Sequence, residues 1–129
     1  MTRSAGPYDA ACFEALFDAD ADPWRYRSRW YEERKRALTL ACLPERRFRC
    51  AFEPACANGE LSALLAARCD RLLVCDGAAG AVASSQARLA DHHHVEVRRA
   101  RLPQQWPAER FDLIVLGEFA YYLAADDID

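Results

Sequence analysis

The sequence predicts an α/β fold, a parallel sheet of Rossmann-like build, and three observations carry that prediction. Short apolar runs alternate with segments of helical periodicity from Phe48 onward. A turn of small residues, Glu53-Pro54-Ala55-Cys56-Ala57-Asn58-Gly59, separates the first strand from the helix that follows it. An acidic residue, first Glu53 and then Asp76, closes each of the first two strands. In such a unit the turn lets backbone approach a ligand closely, the helix start offers unpaired N–H groups, and a carboxylate ending the next strand can take both hydroxyls of a ribose. That is half of a nucleotide pocket.

Taken in order, residues 1 to 7 are small and polar and are expected to be disordered. Tyr8, Cys12, Phe13, Leu16 and Phe17 then recur at the spacing of a short amphipathic helix. Asp18 to Trp24 breaks it, because Pro23 disfavours helix at Asp22 and the carboxylates suit turns. A second helix is predicted from about Ser28, with Trp30, Tyr31, Leu38, Ala41 and Cys42 as its apolar set and Pro44 as its stop. These two helices precede the sheet and are expected over its C-terminal edge or along its flank, a lid being one of the roles open to them. Phe48 to Phe52 reads as the first strand, Leu61, Leu64, Leu65 and Cys69 as the apolar spacing of a helix, and Leu72 to Cys75 as a buried strand ending at Asp76.

Gly77 to Ala90 suits a helix packed closely on a sheet, with Ala78, Ala81, Val82, Ser85 and Leu89 on one side. His92-His93-His94 reads as a solvated turn, since adjacent histidines lack the spaced geometry of metal ligands, and no metal is assigned. Val95 to Val97 is the third strand, Leu102 to Pro107 a loop, and Phe111 to Leu116 the fourth and most apolar strand. Right-handed crossovers put the third strand outside the second and bring the chain back beside the first, which gives the spatial order 3-2-1-4.

At 129 residues with 52% of them hydrophobic, the chain is large enough for one core and is read as part of one domain, 1–129. The net charge is only −3, and the arginines are spread along the chain, so nucleic acid binding is not indicated. Cys12, Cys42, Cys50, Cys56, Cys69 and Cys75 fall mostly on apolar faces, with no CxxC spacing, and are expected to be free, buried thiols. Neither a leader-like apolar run nor a stretch of about 20 apolar residues is found, so no membrane association and a cytoplasmic location are expected.

Five pieces together resemble a known family: Asp22-Pro23-Trp24, Trp30-Tyr31-Glu32 with Arg34-Lys35, Thr39-Leu40, the turn from Glu53 to Leu61, and Phe111 to Glu118 followed by Tyr121-Tyr122-Leu123. They resemble the class I S-adenosylmethionine-dependent methyltransferases, within them the nodulation protein S group, from about Tyr8 to Leu123. The resemblance implies S-adenosylmethionine as cofactor and Glu53, Ala55, Cys56, Ala57, Asn58 and Gly59 as its binding loop. The family's alternate glycines are here Ala55, Ala57 and Gly59, and alanine at a position needing positive φ costs on the order of 1 kcal/mol. Glu53 is expected to orient the turn through its backbone amides. Asp76, with Gly77, corresponds to the ribose ligand, its alternative being a helix cap.

The adenine is expected near Ala100, Arg101 and Leu102 through backbone contacts, because the family's frequent aspartate is missing there. Gly117 would let the methionine portion pass closely, and Trp24, Tyr31, Arg34 and Lys35 would close a lid, with core packing as the alternative for the aromatics. Glu118 would accept a proton from, or orient, an amine acceptor, unless it is only a polar residue at a strand end.

The family's usual fold continues past the fourth strand, so the chain is expected to be truncated before strands 5–7, the N-terminal, cofactor-binding part of a methyltransferase domain. Two functions stay open: a methyltransferase acting on a small-molecule acceptor such as an amine, or a non-catalytic remnant or interaction module that keeps only the cofactor half. A dinucleotide oxidoreductase is disfavoured, since Glu60 stands where it would repel a pyrophosphate. The chain alone is expected to bind cofactor weakly or not at all and to self-associate through the edge of the fourth strand.

Overall fold

The computed structural model describes residues 30–116. Helix α1 (Trp30–Ala41) leads into β1 (Phe48–Pro54), α2 (Glu60–Ala66), β2 (Cys69–Asp76), α3 (Ala79–Arg88), β3 (Val95–Arg99) and β4 (Leu113–Ile114). Among the described residues all strand pairs are parallel, and the sheet runs β3-β2-β1-β4, the order expected from right-handed crossovers. Register places Glu53 opposite Val74 and Pro54 opposite Cys75, so the acidic ends of β1 and β2 lie side by side at one edge.

The two faces of the sheet are filled differently. Phe48, Ala51, Leu72 and Val74 pack with Leu65 and Ala66 of α2, with Leu89 after α3, and with Val115. On the other face Phe52, Leu73 and Cys75 meet Ala100, Leu102 and Phe111, from the long connection between β3 and β4. Phe52 stacks on Phe111 at 5.0 Å between ring centroids and takes the Trp106 ring edge-on at 5.1 Å. Alternation along β2, Leu72 and Val74 one way and Leu73 and Cys75 the other, is what a strand covered on both faces requires. Among the described residues no helix is long and apolar enough to cross a membrane.

Several elements differ from their sequence reading. Cys69 belongs to β2, where it pairs with Phe48, because α2 closes one turn earlier through Arg68 N–H to Leu65 O. The buried stripe of α2 is Ser62, Leu65 and Ala66, and Leu64 lies outside it, since Ser62 is drawn inward by Glu53. Helix α1 buries none of its residues: Trp30 is 71% exposed, and Leu38, Ala41 and Cys42 are exposed too. Its contact with the core comes from Leu40, with Leu43 just beyond it.

The thiols divide accordingly. Cys56, Cys69 and Cys75 are buried, whereas Cys50 is half-buried and Cys42 exposed, so the expectation of burial fails at those two; Cys12 lies outside the described residues. Strand β4 is shorter than the apolar run 111–116. It is extended by single bonds at each end, Asp112 N–H to Cys50 O and Val115 N–H to Phe52 O, and the Asp112 carboxylate accepts the Arg49 and Cys50 amides at 2.8 Å each. The expected first helix, residues 8–17, lies outside the described residues.

Candidate cofactor site

The site is built on the turn between β1 and α2. Ala55, Ala57 and Gly59 have φ of 56°, 52° and 82°, so each alternate position of the turn is left-handed. For glycine that costs little, but for alanine the β-carbon crowds its own carbonyl. The turn is tied to β2 by Cys56 N–H to Cys75 O at 2.9 Å, and closed on itself by Gly59 N–H to Cys56 O at 3.0 Å. Helix α2 starts from it with Ala63 N–H to Gly59 O.

Asp76 stands at the centre of this arrangement. Its Oδ2 accepts the Ala57 amide at 3.0 Å and its Oδ1 accepts the Ala78 amide at 3.1 Å, which joins the turn to the start of α3. The capping role is therefore present. It leaves capacity for a ligand, because an ionised carboxylate has about four acceptor positions. Burial raises the Asp76 pKa, opposed by the hydrogen bonds from Ala78, Ala57 and Gly77.

Glu53 is buried at the end of β1, and its Oε1 accepts the Ser62 hydroxyl rather than the turn amides expected of it. Removal from water pushes its pKa up to about 8, against the Ser62 bond and with help from the Asp76 charge. Burial likewise raises Cys56 well above the usual thiol range and Cys75 to about 12, so these thiols are inert. Glu60, at the first position of α2, pairs with Arg88 across 3.4 Å.

Sequence reading missed two hydroxyls. Ser62 holds Glu53 from one turn into α2, and Ser85 on α3 donates to Ala57 O at 2.7 Å. Both are fully buried polar residues on otherwise apolar helix faces, which is the one signal the sequence offers for them.

The remaining predicted positions lie at unequal distances from this cluster. Gly77 follows Asp76 with ordinary φ, and an added β-carbon there would meet Ala100 O at 3.8 Å. Ala100 N–H is taken by Asp76 O at 3.0 Å and Arg101 N–H by Gln105 Oε1 at 2.6 Å, so those two amides are already engaged. Leu102 is half-buried against Phe52's cluster. Tyr31 is 63% exposed on α1, with Lys35 5.3 Å from its ring centre, so Tyr31 is not core packing; Arg34 is exposed on the same helix. Trp24, Gly117 and Glu118 lie outside the described residues.

A β3-β2-β1-β4 parallel sheet with such a turn at its acidic edge defines the Rossmann-like class to which the methyltransferase folds belong. The sequence model of the nodulation protein S (NodS) family matches residues 13–128, and the chain belongs to that family. It is 33% identical over 106 residues to nodulation protein S of Sinorhizobium fredii NGR234, covering 81% of this chain and 49% of that one. The chain thus spans about half the length of the curated relatives it matches.

Similar crystal structures include the following two. The N-methyltransferase NodS of Bradyrhizobium japonicum WM9, in complex with S-adenosyl-L-homocysteine, superposes with a TM-score of 0.79 at 29% identity, over 86% of this chain and 59% of that one. A candidate methyltransferase from Pseudomonas syringae is 62% identical, with a TM-score of 0.69 over 77% of this chain and 62% of its own.

Proposed function

We propose that this chain binds S-adenosylmethionine across the β1–α2 turn and supplies the cofactor half of a methyltransferase whose acceptor is a small molecule, an amine nitrogen. The observation that carries the reading is the pair of acidic side chains, Glu53 and Asp76, flanking a left-handed turn in a chain of the NodS family. The donor set suits this cofactor. The Asp76 carboxylate favours a ribose diol, and Glu60 at the start of α2 disfavours a pyrophosphate.

When bound, the cofactor supplies a methyl group on a positively charged sulfur, transferred by displacement without a covalent enzyme intermediate. The protein's part is alignment and exclusion of water. Asp76 would hold the ribose with the acceptor positions its backbone bonds leave, and Ala55, Cys56, Ala57, Asn58 and Gly59 would present backbone to the ligand. Arg101 and Leu102 would border the adenine, Leu102 through its apolar side chain. Trp24, Tyr31, Arg34 and Lys35 would close over the cofactor, Gly117 would allow its methionine end to pass, and Glu118 would take the proton of the amine.

Self-association is part of the same reading, because among the described residues β4 is an outer strand of the sheet, with Ile114 and, just beyond the strand, Leu116 exposed. Light scattering checks it, and a monomer across a wide concentration range would remove it. Calorimetry with S-adenosylhomocysteine, followed by methyl transfer to a panel of amines, tests the function. Binding without transfer to any amine would leave the cofactor half standing and discard the amine acceptor.

A further inference from the structure

We propose that Ser85, on α3 and distant in sequence from the turn, is the positioning residue that holds the cofactor turn in its left-handed form and so compensates for alanine at position 57. The proposal rests on the reading of the turn as the cofactor loop. Ser85 is fully buried and meets the turn at three points. Its hydroxyl donates to Ala57 O at 2.7 Å. The Cys56 sulfur lies 3.3 Å from the same oxygen. Gly59 backs directly on it: a β-carbon built there would stand 3.3 Å from both Ser85 Cα and Ser85 Oγ.

The effect converges on Ala57. With φ of 52° this residue sits where an L-side chain is disfavoured. Its amide is held by Asp76 and its carbonyl by Ser85, so both backbone polar groups of the strained residue are fixed by side chains from other elements. A glycine at 57 would adopt the same conformation unaided. Ser85 therefore matters to the turn because position 57 carries a methyl group, and it reaches the cofactor only through Ala57.

That dependence has a signature which a merely structural serine lacks. Ser85→Ala, Ala57→Gly and the double variant of the 129-residue chain are compared by calorimetry with S-adenosylhomocysteine and by urea unfolding. In the parent background Ser85→Ala is expected to raise the dissociation constant about tenfold and to lower the urea midpoint, the worth of one buried hydrogen bond. In the Ala57→Gly background the same change is expected to raise it less than about threefold, because glycine needs no restraint.

Equal penalties in the two backgrounds, or unchanged affinity in Ser85→Ala, would overturn the proposal. If the parent chain does not bind S-adenosylhomocysteine, the cofactor reading fails separately. The restraint is then judged on the urea midpoints, where a smaller loss from Ser85→Ala in the Ala57→Gly background supports it and equal losses in the two backgrounds reject it. Should Ser85→Ala not fold, Ser85→Cys, which keeps the volume and weakens the donor, takes its place in the same cycle.

Discussion

Replacing Ala55 by glycine should stabilise the protein, the reverse of what glycine does at most sites. Ala55 has φ of 56° and is exposed, so its methyl group adds strain without burying area. Left-handed backbone costs an L-residue about 1–2 kcal/mol, and glycine's extra freedom in the unfolded chain returns about 0.4–1 kcal/mol of that. Taking the middle of each range, the balance is a gain of about 0.8 kcal/mol. With a urea m-value of about 2 kcal/mol per M, the midpoint should rise by about 0.3–0.5 M. Ala57→Gly should gain less, because the Ala57 methyl packs against Ala78 and Ala81. Ala63→Gly, the same chemical change inside α2, is the control and should cost about 1 kcal/mol. If Ala55→Gly destabilised as Ala63→Gly does, Ala55 would not be left-handed in solution and the strained turn would be wrong.

Other consequences concern charge. Glu53 has a folded pKa of about 8 against an ordinary 4.5, so between those values the folded state keeps a proton that the unfolded state releases. Its stabilising share is whole below about pH 4.5 and is lost as pH rises toward 8; Glu53→Gln, which keeps an acceptor for Ser62, should flatten that fall in urea midpoints measured across the window. Asp112 has the opposite sign. The Arg49 and Cys50 amides hold its pKa below the ordinary 3.8, so what it contributes is present above that value and lost as pH falls through the lowered one. Asp112→Asn should remove this acid-side slope, and an unaltered acid profile would mean that the β1–β4 tie is not formed. Asp76→Asn turns one of two acceptors into a donor facing a backbone N–H, and should weaken S-adenosylhomocysteine binding by about 1.5–3 kcal/mol, the worth of hydrogen bonds to a charged group. Unchanged affinity in a folded variant would reduce Asp76 to a cap.

The sheet was legible because its signals are local and redundant. Leu72 to Cys75 has to be buried on both faces, and the alternation of small and apolar residues from Ala78 to Leu89 leaves one stripe that can pack on a sheet. Helix α1 was misread because periodicity shows which residues share a face, not whether anything covers it, and Trp30 and Leu38 are exposed. Cys69 was misplaced because an i, i+4 apolar spacing continues across a helix end that only the Arg68–Leu65 bond defines.

At the candidate site, the turn and Asp76 can be proposed from the sequence because their chemistry is carried by consecutive residues. Ser62 and Ser85 cannot, because each acts on a partner in another element, Ser85 across 28 positions of sequence. Glu53 was found but given the wrong partners: its spacing suggests the turn amides, while burial favours a neutral acid satisfied by one hydroxyl.

Titration of S-adenosylhomocysteine into the purified 129-residue chain decides whether the β1–α2 turn binds the cofactor. Weak, saturable, one-site binding is expected, with a dissociation constant below about 1 mM, corresponding to roughly 4 kcal/mol. Absence of saturable heat with a chain that unfolds cooperatively in urea would contradict it.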